Sequence, residues 1–179
     1  QQSWSNWGSL QFRKPTRFYN SMSINGNFWN QWTAEGLPLE HALNTNIHFM
    51  LHNNWGIAGG VTEGQLGSTY CDQCARGGPA VRQSSYLSPW LSIQGDDRPR
   101  ISPSLSVNAM RTDAGFSHMV SVDPSVAVRA SSQLLFTLDV TGTQNINDTQ
   151  WIGNFQDGSA NTTHYTFAHL DQTTISTTV

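Results

Sequence analysis

The chain has 179 residues, a net charge of −3 and 12% charged residues, with 37% hydrophobic and 11% aromatic residues. The length suffices for one domain with a sizeable core, but the charged share is about half that of an ordinary globular protein. Without a basic patch to neutralise phosphates, composition argues against nucleic acid as a partner; no apolar run reaches the ~20 residues of a transmembrane helix, which leaves open spanning β-strands that meet lipid only at every second residue.

Alternation with period two dominates the chain. It first shows over residues 18–28, where Phe18, Met22, Ile24 and Phe28 alternate with Tyr19, Ser21, Ser23, Asn25 and Asn27. Leu43, Thr45, Ile47, Phe49 and Leu51 form one face of a second strand, and Trp55, Ile57, Gly59 and Val61 one face of its partner. Leu87, Pro89, Leu91 and Ile93 alternate with Ser88, Trp90 and Ser92, and Ile101, Pro103, Leu105, Val107 and Ala109 with serines and Asn108. The clearest pattern puts Val120, Val122, Pro124, Val126 and Val128 opposite Ser121, Asp123, Ser125 and Arg129. Leu134, Phe136, Leu138 and Val140 follow after a turn, and a last strand covers residues 165–179. No segment carries a helical stripe. The expectation is an all-β, antiparallel up-and-down meander of about eight long strands, many near the ~9–11 residues of a tilted membrane strand. The chain starts at Gln1 without a leader and ends at Val179 within a strand-like pattern. It is therefore read as a single partial domain over 1–179, an open fragment of a transmembrane β-barrel.

Connections are expected to alternate between short turns (near Asn53-Asn54, Asp96-Asp97 and Ser131-Ser132) and longer loops (33–40, 66–82, 111–115 and 142–163), the rim pattern of an outer-membrane barrel. Aromatics at Phe18-Tyr19, Phe28 to Trp32, Trp55 and Tyr86 to Trp90 are expected to form interfacial girdles. The alternative is a soluble, secreted carbohydrate-binding β-sandwich. Solvated sheet faces usually carry Lys, Glu and Arg, however, and these carry Ser and Asn.

The two cysteines, Cys71 and Cys74, lie in the stretch STYCDQCARGGPAVRQ. A structural zinc site needs four ligands and a thioredoxin-type pair needs a helix N-terminus, so a local disulfide is the expected state in an exported protein. On a strand, His48 and His52 would stand ~13 Å apart, which does not suit a metal; His118 is read as interfacial, and His164 and His169 have no evident partner. Neither metal nor cofactor is expected. Asp123 and Asp139 on adjacent strands suggest, at most, the carboxylate pair of a glycoside hydrolase; with Arg129 they are read as lumenal charges, and no catalytic residue is assigned.

The run CARGGPAVRQSSYLSPWLSIQGDDRPR resembles a segment of a bacterial envelope family, the domain of unknown function 5916. The positions that carry the likeness are Arg76, Gly77, Gly78 and Pro79 in a long loop, Trp90 in the next strand, and Asp96, Asp97 and Arg98 in a turn. NNWGIAGGV and FAHLDQTTISTTV are also similar to that family's strands. The resemblance implies a carbohydrate-binding family-nine-like domain followed by an outer-membrane barrel, of which this chain would be an internal piece. It further implies the bacterial outer membrane as location and its lipid bilayer as partner, with carbohydrate capture or passage as the role. It carries no catalytic residues.

Overall fold

The computed structural model describes residues 1–158 and 162–179. Its strands are β1 (Gln2–Phe12), β2 (Ser21–Trp32), β3 (Pro38–Met50), β4 (Gly56–Gly64), β5 (Tyr70–Cys71), β6 (Val81–Arg82), β7 (Tyr86–Gln94), β8 (Ile101–Thr112), β9 (Ser117–Arg129), β10 (Leu135–Asp157) and β11 (Thr162–Thr178). All but β5 and β6 form one nine-stranded antiparallel sheet in sequence order, and β5 and β6 form a small ladder inside the β4–β7 connection. The protein is thus an all-β antiparallel meander. In it β1 and β11 each pair with one neighbour, so the sheet is open.

Two elements differ from expectation. Gln2–Phe12 is a strand, paired with β2 along its whole length from Gln2↔Trp32 to Phe12↔Met22. The segment expected as a loop over 142–163 continues β10 as far as Asp157; residues 159–161 lie outside the described part. Beyond Ile146↔His118, β10 leaves β9 and runs on with β11 alone, so the two form a ribbon that overshoots the sheet. The strict alternation of loop lengths fails with it. One rim, here the lower, carries connections 13–20, 51–55, 95–100 and 130–134. The upper rim carries 33–37, 65–85 and 113–116, and of these 65–85 alone is long.

The register separates the two faces across the entire sheet. One row reads Leu10, Ile24, Ile47, Gly59, Leu91, Val107, Val122, Gly142 and Ile175 from β1 to β11. One residue along each strand, and therefore on the opposite face, the row reads Ser9, Asn25, Asn46, Gly60, Trp90, Asn108, Ser121, Thr143 and Thr174. Along β9 the apolar face runs from Val120 to Val128, eight steps or ~26 Å at ~3.3 Å per residue. Charge enters this face in one upper row, Leu43, Glu63, Leu87, Arg111, His118, Ile146 and Asp171.

Nothing covers the apolar face. Among the described residues the buried apolar side chains are Ala42 and Ala75, whereas Leu91 is 44% and Val122 41% exposed on central strands. A Leu or Val loses about 1.5–3 kcal/mol of stabilisation when left out of an apolar environment. Summed over this face, even half of that exceeds the ~5–15 kcal/mol by which domains are usually stable. The sheet therefore lacks a core of its own and needs an apolar environment for that face.

Candidate functional site: the polar face and its rim strap

The polar face satisfies itself with neutral groups. Asn25 Nδ2 donates to Asn46 Oδ1 (2.7 Å), Asn46 Nδ2 to Asn44 Oδ1 (2.6 Å) and Asn44 Nδ2 to Thr62 Oγ1 (2.8 Å). Asn27 joins the same ladder through Asn44, and His48 Nε2 lies 3.0 Å from Asn46 Oδ1. Farther along, Thr143 Oγ1 donates to Ser121 Oγ and Ser121 Oγ to Asp123 Oδ2 (3.0 Å). Amides and hydroxyls that bond one another in this way leave a surface that is polar without being charged.

Two aromatic rings of β7 lie over glycines of β4. A Cβ built on Gly60 would stand 2.8 Å from Trp90 Nε1, and one on Gly64 would overlap the Tyr86 ring. The missing side chains give each ring room to lie down on the backbone. Tyr86 Oη also donates to Glu40 Oε1 (3.2 Å). These rings correct the girdle expectation: Trp90 and Tyr86 stand on the polar face, as does Trp29, which is registered with the buried Ala42. Aromatics of the apolar face do gather toward the rims, with Trp4 edge-on to Phe28 at 5.8 Å and Tyr19 near Phe49 at 5.9 Å.

Below the asparagine ladder the polar face forms an open groove of about 720 Å³, walled by Gln11, Ser23, His48, Trp90, Ser92 and Gln94. These residues come from β1 through β7, so the sheet is concave on this side. Arg13 at the groove's end is engaged, its Nη2 donating to Gln11 Oε1 (2.6 Å).

Residues 65–85 form a strap over the upper rim. It leaves the sheet where Leu66 N donates to His41 O (3.0 Å), and Cys71 and Cys74 close its tip as a disulfide. Asp72 and Gln73 share a cleft with Gln1, Thr33 and Glu35 of the β1–β3 end. A few residues later the strap meets the β10–β11 ribbon. There Asn154 Nδ2 donates to the carbonyls of Ala75 (3.2 Å) and Arg76 (3.1 Å), and the Arg76 guanidinium lies 4.3 Å over the Trp151 ring. Gly77 supplies a left-handed turn (φ 95°). Gly78 has a different reason, since a Cβ there would run into the Tyr165 ring. One strap thus bonds the β10–β11 end of the sheet and lines a cleft with its β1–β3 end, which brings the two ends near each other at this rim. Pro79 follows the two glycines and precedes β6.

The remaining sites are spread out. Asp96, Asp97 and Arg98 form the β7–β8 turn, where Arg98 Nε and Nη2 grip the Asp96 carboxylate (2.9 and 2.6 Å). These bonds hold the Asp96 carboxyl well below the usual carboxylate range, and Asn54 of the neighbouring turn adds a weaker one (3.4 Å). Asp123 and Asp139 stand on the polar face, registered with Ser106 and with Ser125, which makes them diagonal neighbours on β9 and β10. They lie outside the groove. Arg129 ends β9 opposite Leu135 and takes no part in the ion pairs Arg98–Asp96 and His169–Asp148. His52 bonds Asn20 and the Thr16 carbonyl, which ties the 13–20 connection to β3's end. Among the described residues no group of three His, Cys, Asp or Glu side chains is placed to hold a metal ion. The groove, and the contacts by which the expected 66–82 loop reaches the β10–β11 ribbon, were not foreseen from sequence. The parity of Trp90 with Ser88 and Ser92, against Leu87 and Leu91, was the available signal for the first.

No protein-family model, curated protein or solved structure matches this chain.

Proposed function

We propose that this sheet is part of a bacterial outer-membrane β-barrel, its apolar face against lipid and its polar face lining a lumen that takes up or passes uncharged polar solutes, carbohydrate above all. The observation that carries the reading is the pair of adjacent rows, Leu10 to Ile175 and Ser9 to Thr174, apolar and polar on most strands, with glycine in both on β4 and Trp90 in the polar row on β7. Hydrocarbon supplies the apolar environment that the uncovered face needs; at the ~35–45° tilt of barrel strands the ~26 Å apolar length of β9 spans ~20 Å of the ~25 Å apolar band. A bilayer also requires every strand edge to be paired. In this reading β1 and β11 therefore meet further strands, in keeping with the even strand numbers of bacterial barrels. A soluble sandwich would need a second layer over Leu91 and Val122, and the described residues supply none.

Fractionation of cells that express the full gene product tests the reading. The expected result is recovery in the outer-membrane fraction with a heat-modifiable band on cold electrophoresis. A soluble periplasmic or secreted product without that shift would overturn it.

A further inference from the structure

The groove at the lower half of the polar face brings together three features that select one chemical class. First, its floor holds a flat aromatic ring. Gly60 leaves no Cβ under Trp90, and the space is tight, since a methyl there would stand 2.6 Å from Asn46 Cβ and 2.8 Å from the Thr45 carbonyl. Trp90 lines the groove half-buried, with its Nε1 edge over the Gly60 position. The His48 ring stands 6.0 Å away, tilted by 57°, and sets one side of the platform.

Second, the polar groups around the platform are neutral donors and acceptors, set beside the apolar Met50 and Ala58. Gln11, Ser23, Ser92 and Gln94 line the groove, and its one cation, Arg13, is bonded to Gln11. A cationic ligand would lose its hydration without gaining a counter-ion, and an anionic one would meet only Arg13, at the groove's end. A purely apolar one would strand the amides and hydroxyls, at a cost of about 1–3 kcal/mol for each group left unpaired. Third, the groove runs from β1 to β7 across four strand spacings, ~19 Å at ~4.8 Å each. That is longer than a single sugar ring.

We infer that this groove is a subsite for neutral oligosaccharides, with a pyranose ring stacked through its C–H face on Trp90 and its hydroxyls bonded to Gln94, Ser92 and Gln11. The inference deepens the lumenal reading above and rests on it for context. The groove geometry is a property of the sheet alone, so the two can fail separately.

The test is isothermal titration calorimetry of the full chain, refolded in detergent, with maltohexaose, cellohexaose and the anionic hexagalacturonate. Saturable binding of a neutral hexaose is expected. Its Kd should rise at least about tenfold in Trp90→Ala, as removal of an aromatic anchor does at a binding hot spot. Trp90→Phe should lose less, and Trp151→Ala on the rim should bind as the parent does. If Trp90→Ala does not refold, Gln94→Ala together with Trp90→Phe carries the comparison, each expected to weaken binding severalfold. Absence of saturable heat with both neutral hexaoses up to about 10 mM, binding that survives the groove substitutions, or tighter binding of hexagalacturonate would each overturn the subsite. Heat-modifiable protein that binds no hexaose sinks the subsite and leaves the barrel standing. Soluble protein that binds through Trp90 does the reverse.

Discussion

Val122 and Ser121 are neighbours in sequence, yet each belongs to a row that crosses the whole sheet, one apolar and the other polar. Both rows are partly open to their surroundings, so burial does not tell them apart. What differs is how each face meets its needs. The polar face is closed on itself by amide and hydroxyl bonds, from Asn25 through Asn46 and Asn44 to Thr62. The apolar face has no such internal partners and depends on what lies against it. The comparison teaches that the environment of this sheet can be read from the face whose needs are left unmet.

The sharpest way to break that comparison is to place the same charge on both faces. Val122→Arg on the apolar face should cost ~2–4 kcal/mol in a bilayer, the range for a midplane arginine on the lipid side of a barrel. Ser121→Arg should stay within about 0.5 kcal/mol, as ordinary surface substitutions do. Denaturant unfolding in lipid vesicles reads both. Equal costs would mean that both faces see water. A smaller effect sharpens the polar side. Gly60→Ala drives a methyl toward the Asn46 Cβ and the Thr45 carbonyl, neither of which can swing aside, and overpacking of this kind costs ~1–3 kcal/mol. Gly26→Ala, with open space around its apolar-face position, should be neutral or stabilise by up to about 1 kcal/mol. Melting curves of the two variants should therefore move in different directions or by clearly different amounts.

Where one residue in two is apolar, the sequence made the strands plain. β3, β7, β8 and β9 were legible because Leu, Ile and Val recur on one side and Ser or Asn on the other, and β4 because Ile57 and Val61 recur between small residues. β1 was not, since Asn6 and Gly8 interrupt its apolar side and Trp7 stands on the polar one. The second half of β10 was misread for a similar reason: Gln144, Asn145, Asn147, Asp148 and Gln150 have the composition of a loop. Pairing with β9 up to Ile146 and with β11 beyond it overrides that composition. The groove could not be read at all, because it needs the curvature that brings Gln11 and Gln94 to one concavity. The same holds for the strap's contact with Asn154, which joins residues 79 positions apart.

That contact gives the next prediction. Trp151→Ala removes the ring beneath Arg76, and cation–π contacts at exposed sites are worth ~0.5–1 kcal/mol. Global unfolding should barely change. Hydrogen exchange at Gln73–Arg76 should rise severalfold, because Asn154, freed of its bond from Trp151 Nε1, and the Gly78–Tyr165 contact are then what holds the strap to the ribbon. Unchanged protection would mean that the strap is fixed from its β3 side, at the Leu66–His41 bond.

The smallest effect is set by pH at the lower rim. The Arg98 bonds depress the Asp96 carboxyl below its ordinary value. An acid with a lowered folded-state pKa contributes its full stabilisation above the unfolded pKa of ~3.9 and loses it as pH falls through the folded value. Arg98 is open to solvent, so the contribution is small and screened by salt. Asp96→Asn should therefore lower the unfolding midpoint slightly at about pH 7, and the difference from the parent should shrink below pH ~3.9. Asp123, on the polar face and bonded to Ser121, offers the internal contrast because it has no cation in its bond network. If Asp123→Asn reproduced the same acid-dependent difference, the Arg98 grip would not be its cause, and the lower turn would owe its order to the backbone alone.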